Sequence, residues 1–400
     1  MLDIALGNGR MDGTHDADST PIQRSVSEVA SETIAPETRA LLRLSMLPGL
    51  GPRTLTSLLS HFGSPQTALD ASPEELRLVD GVGPKLVHTI RTASDHIDEQ
   101  RVIDWCTQHD CDLMTDEDDA YPSLLREMHD APPLFFKIGD FQPADQIAVA
   151  IVGTRHGTAY GTRMAERLSY GLAKAGVTVV SGLARGIDAV AHEGALSAGG
   201  RTIAVLGGGL GQIYPAEHEG LAKAVAADGV VMSEYSPFAK PRGGMFPQRN
   251  RIIAALSLAT LVIEAPDRSG ALITAGHAGE LGRDVLALPG PVTSRASRGV
   301  NRLIRDGATL VQTVEDVLEA LGPLSSSVTD DDGHEIRQPS ELTLNAVERS
   351  VLELIDASGT LIDQVIAKSG LAAHQVLSTI SVLEMRKLIR RLSGQYVARI

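Results

Sequence analysis

The chain has few aromatic residues and only two cysteines among its 400 residues. Aromatic residues make up 3% of the sequence, so any surface on which nucleic-acid bases stack must be small. Cys106 and Cys111 lie five positions apart, which is neither the Cys-x-x-Cys spacing of a zinc or redox site nor a disulfide framework. We therefore expect reduced, structural cysteines, no metal site and no cofactor.

Long apolar runs are also lacking. The longest, residues 252–265, is interrupted by Ser257 and Thr260 and is too short to span a bilayer. The first 37 residues have neither the basic start nor the apolar segment of a secretory signal. These features predict a cytoplasmic protein that does not contact a membrane.

The whole chain lacks the positive charge that is typical of nucleic-acid-binding proteins. It has 36 basic and 50 acidic residues, a formal charge of −14. The charge is unevenly distributed, however. Residues 95–130 carry twelve acids against two bases, whereas residues 240–305 carry ten bases against four acids. The acidity belongs to the first third of the chain, which leaves room for one basic face on the remainder.

The length predicts two or three domains. Residues 1–37, rich in Asp, Ser, Thr and Gly, are expected to form a disordered tail. Residues 38–130 are expected to form a helical module with an acidic connector. Two turns in this module, residues 47–52 (LPGLGP) and 79–84 (VDGVGP), resemble those of a helix-hairpin-helix or SAM-like module. Their N–H groups could hold a phosphate, or the glycines could serve only as tight turns of a docking module.

Residues 131–322 alternate between strands and helices. Apolar β-branched runs predict buried parallel strands at residues 147–152, 177–180, 202–206, 230–232, 260–263, 285–288 and 309–311. The predicted fold is therefore α/β, a Rossmann-like doubly wound parallel sheet. Residues 323–341 predict a polar linker, and residues 342–400 predict the three helices and β-ribbon of a winged helix.

Ligands bind such sheets at the carboxyl ends of the strands. There the turn of residues 153–157 (GTRHG) offers backbone N–H groups and an arginine at a helix start, which suits a phosphate. The predicted loop 234–247 adds cations and Phe246, and leads into a helix that residues 249–251 are expected to open. Guanidinium groups beside one aromatic face suit a single nucleic-acid strand. Alternatively, Phe246 belongs to the core and the arginines form a solvated face.

Ser181, Asp188 and His192, which follow the second predicted strand, are candidates for a catalytic triad. Asp188 and His192 share a helix face, but Ser181 has no reason to point at them. We expect Asp188 to cap its helix and His192 to pack near the sheet edge, so no residue is expected to be catalytic.

Three motifs are similar to those of the bacterial DNA-processing protein A family, also called Smf: residues 181–189 (SGLARGIDA), 246–254 (FPQRNRIIA) and 269–275 (SGALITA). The resemblance implies a non-catalytic homodimer that binds single-stranded DNA and loads the RecA recombinase onto incoming DNA during natural transformation. The expected DNA-binding residues are Gly153, Thr154, Arg155, Arg185, Lys240, Arg242, Phe246, Arg249, Asn250, Arg251, Ser269 and Thr274. The chain departs from the family pattern at Thr154, Gly211 and Ala271, and none of these changes removes a base.

Two alternatives stay open. The first is a nucleotide hydrolase of the lysine-decarboxylase-like group, which shares the sheet but carries a Pro-Gly-Gly-x-Gly-Thr-x-x-Glu turn that this sequence lacks. The second is a winged-helix transcription regulator. Residues 342–400 contain seven bases and five acids, a small excess for a domain that reads duplex DNA.

Overall fold

Proline and glycine punctuate the N-terminal helices. The computed structural model describes residues 34–93, 97–323, 328–329, 334–392 and 395–400, so most of the predicted tail lies outside the described residues. A proline at the first position of a helix costs no intrahelical hydrogen bond, since an N–H group in the first turn has no partner within the helix. They are α1 (Pro36–Ser45), α2 (Pro52–Phe62), α3 (Pro65–Asp70), α4 (Pro73–Leu76) and α5 (Pro84–Arg91). Helix α6 (Glu99–Gln108) follows, capped by Asp98.

The two glycine-rich turns form a pair of helical hairpins. Gly49 and Gly81 adopt φ values of +86° and +81°, a region that favours glycine. The hairpins pack together at Gly81, where a Cβ would lie 3.0 Å from the Thr54 hydroxyl oxygen. The helix-hairpin-helix prediction is confirmed in its architecture.

A nine-stranded sheet forms the centre of the protein. Its strands are β1 (Asp112–Thr115), β2 (Leu134–Gly139), β3 (Ala148–Gly153), β4 (Thr178–Ser181), β5 (Thr202–Val205), β6 (Val230–Ser233), β7 (Ala259–Ile263), β8 (Asp284–Ala287) and β9 (Thr309–Leu310). Their order is β1-β2-β6-β5-β4-β3-β7-β8-β9. Strands β3 to β9 are parallel, which confirms the predicted α/β fold.

The sequence did not predict the two remaining strands. β1 pairs with β2, and β2 pairs with β6, both in antiparallel register. The predicted acidic connector therefore contributes one strand to the central sheet rather than ending before it.

Helices cover both faces of this sheet. They are α7 (Ser123–Arg126), α8 (Ala159–Lys174), α9 (Ile187–Ser197), α10 (Glu219–Asp228), α11 (Met245–Ala255), α12 (Gly270–Glu280), α13 (Arg298–Arg305) and α14 (Val314–Leu321). Val149 and Ile151 of β3 pack with residues of α8, α9 and α14, whereas Ala150 and Val152 pack with residues of α11, α12 and α13. This alternation follows from the two-residue period of a strand.

The C-terminal part forms the predicted winged helix. After β10 (Val328–Thr329) and β11 (Glu335–Ile336) come α15 (Ala346–Glu353), β12 (Thr360–Leu361), α16 (Ile362–Ser369), α17 (Ala373–Met385), β13 (Ile389–Arg391) and β14 (Tyr396–Arg399). Buried Glu341, in the predicted linker, pairs with Arg399. Residues Pro36–Ile400 pack as one unit. No helix in the described part of the chain combines the length and apolarity needed to cross a bilayer.

Candidate nucleic-acid interface

A crevice of about 650 Å³ lies at the carboxyl ends of the central strands. The chain runs from β3 outward to β4, β5 and β6, and then returns to β7 on the other side of β3. Loops diverge at such a switch point and leave a crevice where ligands bind. Of the predicted site residues, the crevice is lined by Gly153, Thr154, Arg155, Phe246, Arg249, Asn250, Ser269 and Thr274.

The turn after β3 holds Arg155 at the mouth of this crevice. The Thr154 N–H donates to the carbonyl of Glu264, 2.7 Å away, which fixes the turn to the loop after β7. Arg155 is exposed and makes no ion pair within the described residues. Its guanidinium carbon lies 5.3 Å from the centre of the Phe246 ring, within cation–π range.

A carboxylate already occupies the start of helix α8. Glu264 is buried and accepts hydrogen bonds from the Thr158 N–H at 2.8 Å and the Thr158 hydroxyl at 2.5 Å. The Thr158 hydroxyl in turn accepts from the Gly161 N–H. The N–H groups of Thr158 and Gly161 at the start of α8 are therefore engaged, and so is the Thr154 N–H of the predicted turn, so these three amides do not offer a phosphate site. Glu264 instead positions the turn that carries Arg155.

Two aromatic rings stand together beside Arg155. The ring centres of Tyr214 and Phe246 are 5.7 Å apart, and the Tyr214 side chain is exposed. Phe246 packs closely on Gly207, where a Cβ would lie 2.6 Å from the ring. The glycine run after β5 thus makes room for an aromatic ring. The sequence pointed to Phe246 and missed Tyr214, whose only signal was its place after that glycine run.

Arg249 forms part of the crevice wall and is buried in helix α11. Its Nη1 donates to the carbonyls of Gly182, at 2.8 Å, and of Val205, joining the ends of β4 and β5. Burial lowers the pKa of Arg249 to about 10, although nearby Asp188 opposes this shift. The prediction that residues 249–251 open the helix is wrong: α11 begins at Met245, because a proline is tolerated in its first turn.

Arg251 points away from the crevice. In a helix, residues two apart lie about 200° apart around the axis, so Arg249 and Arg251 face different surroundings. Buried Arg251 pairs with Glu234 and donates to the carbonyl of Asp130 at 2.8 Å. Burial raises the pKa of Glu234, and Arg251 opposes that shift. The structure therefore places Arg251 outside the crevice, with its side chain engaged by Glu234 and Asp130.

The acidic segment of residues 95–130 supplies partners to the basic stretch. Besides the contact of Asp130 with Arg251, Glu127 pairs with Arg283 at 2.6 Å. Trp105 of α6 contacts Phe238, which lies on the loop after β6, at a ring-centre distance of 6.2 Å. The acidic segment is therefore bonded to the core, and the net positive charge of residues 240–305 is partly neutralised.

The remaining predicted residues divide into exposed cations and internally bonded polar groups. Lys240 and Arg242 are exposed and unpaired within the described residues, on a loop whose Pro241 and Gly243 line the crevice. Arg185 pairs with exposed Glu217 at 2.5 Å. The polar residues hold the wall together: the Asn250 amide donates to the Gly270 carbonyl at 3.2 Å, Ser269 caps α12, and the Thr274 hydroxyl donates to the Gly270 carbonyl.

The three triad candidates do not assemble. The Ser181 hydroxyl donates to the Ile151 carbonyl at 2.6 Å, and Asp188 accepts from the Gly182 N–H at 3.2 Å. Asp188 lies in the first turn of α9 and is not its cap, which is Gly186. His192 is buried, and its Nδ1 lies 2.7 Å from the Thr202 hydroxyl oxygen. Burial, with Arg249 and His218, lowers the pKa of His192 to about 3, so this imidazole is neutral.

Comparison with known proteins identifies the family to which this chain belongs. The family model for DNA recombination-mediator protein A matches residues 112–322. Protein Smf of Synechocystis is 35% identical over 387 residues, which cover 88% of this chain and 96% of the relative. The chain belongs to the DNA recombination-mediator protein A family, also called Smf.

Other similarities agree with this family. A putative DNA processing protein DprA of Mycobacterium tuberculosis is 40% identical over 300 residues, covering 71% of this chain and 76% of the relative. The crystal structure of DNA processing protein A from Streptococcus pneumoniae matches with a TM-score of 0.61 and 35% identity, over 72% of this chain and 98% of that one. Residues 41–93 match a SAM-like helix-hairpin-helix tandem, and residues 335–395 match the DprA winged helix domain.

Proposed function

We propose that the crevice binds single-stranded DNA and that the protein is a non-catalytic recombination mediator, which loads the RecA recombinase onto incoming DNA in natural transformation. The observation that carries this proposal is the grouping of unpaired cations and two neighbouring aromatic rings at one crevice. Arg155, Lys240, Arg242 and Arg268 are exposed there without ion-pair partners in the described residues, beside Tyr214 and Phe246.

A single strand fits this arrangement better than a duplex. Aromatic rings bind nucleic acid by stacking on the flat face of a base, and the bases of a duplex already stack on each other. Cations at the mouth suit the phosphates, which supply most of the affinity and make it salt-dependent. The crevice thus combines the two elements of sequence-tolerant single-strand binding.

The hydrolase alternative gains no support from the site. Ser181 and Asp188 are engaged with backbone groups, and His192 is neutral and buried. The glycines of residues 207–209 pack against Phe246 and the loop after β6, where a side chain would clash, so close packing accounts for this glycine run. We expect the pure protein to release no base from a nucleoside monophosphate.

The regulator alternative also lacks support. Helix α17 is the one that would enter a major groove, and its exposed face carries no lysine or arginine. That face consists of Ala373, His374, Gln375, Leu377, Ser378, Ser381 and Met385. Two of the nearby cationic side chains are in ion pairs: Lys387 with Glu319, and Arg391 with Glu384. We propose that the winged helix is not the main DNA-binding surface.

The homodimer is proposed through the helix that follows β7. Ile273 of α12 has 42% of its surface exposed, so a substitution there tests this contact without disturbing the core. Replacing Ile273 with glutamate is expected to give a monomer in light scattering, whereas a wild-type monomer would refute the dimer.

The test compares affinities for a single strand and for a duplex of the same sequence, by fluorescence anisotropy. We expect a preference for the single strand, and weaker binding after Arg155→Gln. The matched control is Lys174→Gln. Lys174 is an exposed cation in the last turn of α8, and this helix leads away from the crevice toward the amino ends of the strands. Duplex preference, or unchanged binding by the Arg155 variant, would refute the proposal. Recombinase assembly on a protein-coated single strand, with and without this protein, tests the loading step.

A further inference from the structure

The loop after β8 and helix α13 carry a row of four arginines that the proposed crevice does not use. Residues 295–305 contain Arg295, Arg298, Arg302 and Arg305 and no acid. The last three are spaced by four and three positions, so they share one face of α13, about 5–6 Å apart. All four are exposed, and the opposite face of the helix packs on the core through Val300. We call these four residues the arginine row.

We propose that the arginine row is a second phosphate track that continues the crevice, so that a DNA strand leaves the crevice across the carboxyl end of β8. This inference rests on the proposed function and extends it. It predicts a longer footprint on the DNA than the crevice alone could give.

The row is continuous with the crevice. Strand β8 lies next to β7 in the sheet, and the segments that follow β3, β7 and β8, including the first turns of α8 and α13, are bonded to one another. The Tyr160 hydroxyl donates to the Pro289 carbonyl at 2.8 Å, and the Gly299 N–H donates to the Ala265 carbonyl at 2.8 Å. Arg268 lines the crevice, and its neighbour Asp267 approaches Arg302 at 3.9 Å. Residues 267 and 268 therefore lie between the crevice and the row.

The backbone beneath the row is fixed by a pair of hydrogen bonds. The side-chain amide of Asn301 bonds to both backbone groups of Gly290: it accepts from the N–H at 3.2 Å and donates to the carbonyl at 3.0 Å. This pair fixes the loop after β8 to the helix that carries the arginines. The backbone that carries the arginines is therefore already ordered before a strand binds, so only their side chains lose freedom on binding.

The fold does not account for these charges. Arg295 and Arg298 lie just before and at the first residue of α13, where the helix dipole disfavours a cation. Neither has an ion-pair partner in the described part of the chain. Arg302 and Arg305 have only long contacts to exposed carboxylates, at 3.9 Å and 3.7 Å. In contrast, Arg251 and Arg283 have carboxylate partners and largely buried side chains. A polyanion is the partner that such an unpaired row suits.

The test uses oligothymidylates of about six and about twenty nucleotides, which differ in whether they extend beyond one crevice. The variant is Arg295→Gln with Arg298→Gln in the full chain. The matched control, Lys174→Gln with Lys223→Gln, removes the same charge from exposed residues of α8 and α10. Thermal unfolding of both variants checks that the fold is retained, and glutamine at the start of α13 should not weaken it.

Each phosphate contact with a single strand contributes about −0.7 to the slope of log K against log salt concentration. One contact therefore makes binding roughly fourfold tighter at 0.15 M salt than at 1 M salt. Loss of two contacts therefore predicts roughly fifteenfold weaker binding of the long oligonucleotide at 0.15 M salt, and a slope shallower by about 1.4. The short oligonucleotide should bind as before.

Each other outcome has a distinct meaning. Unchanged binding of the long oligonucleotide overturns the second track, and an additional loss of recombinase loading would then assign the row to a protein partner. An equal loss for both lengths also overturns it, because the arginines would belong to the crevice. If the wild type binds neither oligonucleotide, the proposed function itself fails.

Discussion

Replacing Phe246 with alanine separates base stacking from charge in the proposed crevice. The ring lies 5.7 Å from that of Tyr214, and the Arg155 guanidinium carbon lies 5.3 Å from its centre. Stacking of one base on an aromatic side chain contributes about 1–3 kcal/mol. At about 1.4 kcal/mol per tenfold change, Phe246→Ala should weaken single-strand binding by about fivefold to 150-fold.

The salt dependence distinguishes this effect from the loss of a cation. Phe246→Ala removes no charge, so the slope of log K against log salt should equal that of the wild type. Arg155→Gln should instead reduce the slope by about 0.7. Anisotropy titrations at several salt concentrations measure both quantities, and Phe246→Tyr, which keeps the ring, serves as the control. Unchanged affinity of Phe246→Ala, or a slope that falls as in the Arg155 variant, would refute the stacking role.

Three further results are expected. Arg251→Met should destabilise the fold in urea unfolding by about 3–5 kcal/mol, since it leaves buried Glu234 unpaired, and should leave the salt slope of DNA binding unchanged. His192 has a folded pKa of about 3, below its ordinary 6.5, so the unfolded chain binds more protons between these values. Lowering the pH from 6.5 to 5 should therefore reduce the free energy of unfolding by about 2 kcal/mol, an effect absent in His192→Gln. Gly207→Ala should displace the Phe246 ring and weaken single-strand binding without altering the salt slope; unaltered binding would show that the ring position does not matter.

The sequence predicted the parallel core well because its strands are continuous apolar runs that only a buried sheet explains. Strands β3 to β9 all coincide with predicted runs, within one or two residues. β1 was missed since its four residues lie among acids and pair with residues 19 to 25 positions further along the chain. Antiparallel edge strands of this kind carry little local signal.

The candidate site was predicted in part. Adjacent cations in the sequence were treated as one basic group, yet Arg249 and Arg251 lie on different sides of one helix. The partners of Arg251 are 17 and 121 positions away, and no local pattern reveals them. The place of Glu264 at the start of α8 was equally hidden, because Thr158 lies 106 positions earlier. Charge counting finds cations, but only the fold shows which of them are free.

Cross-linking tests the central claim most directly. An oligothymidylate bound to the full chain is irradiated, and the cross-linked peptides are mapped. If the DNA lies in the crevice, the cross-links will include Phe246 or Tyr214, and Arg155→Gln will reduce their yield. Cross-links confined to the winged helix of residues 342–400, or to the glycine turns of residues 47–52 and 79–84, would contradict the account.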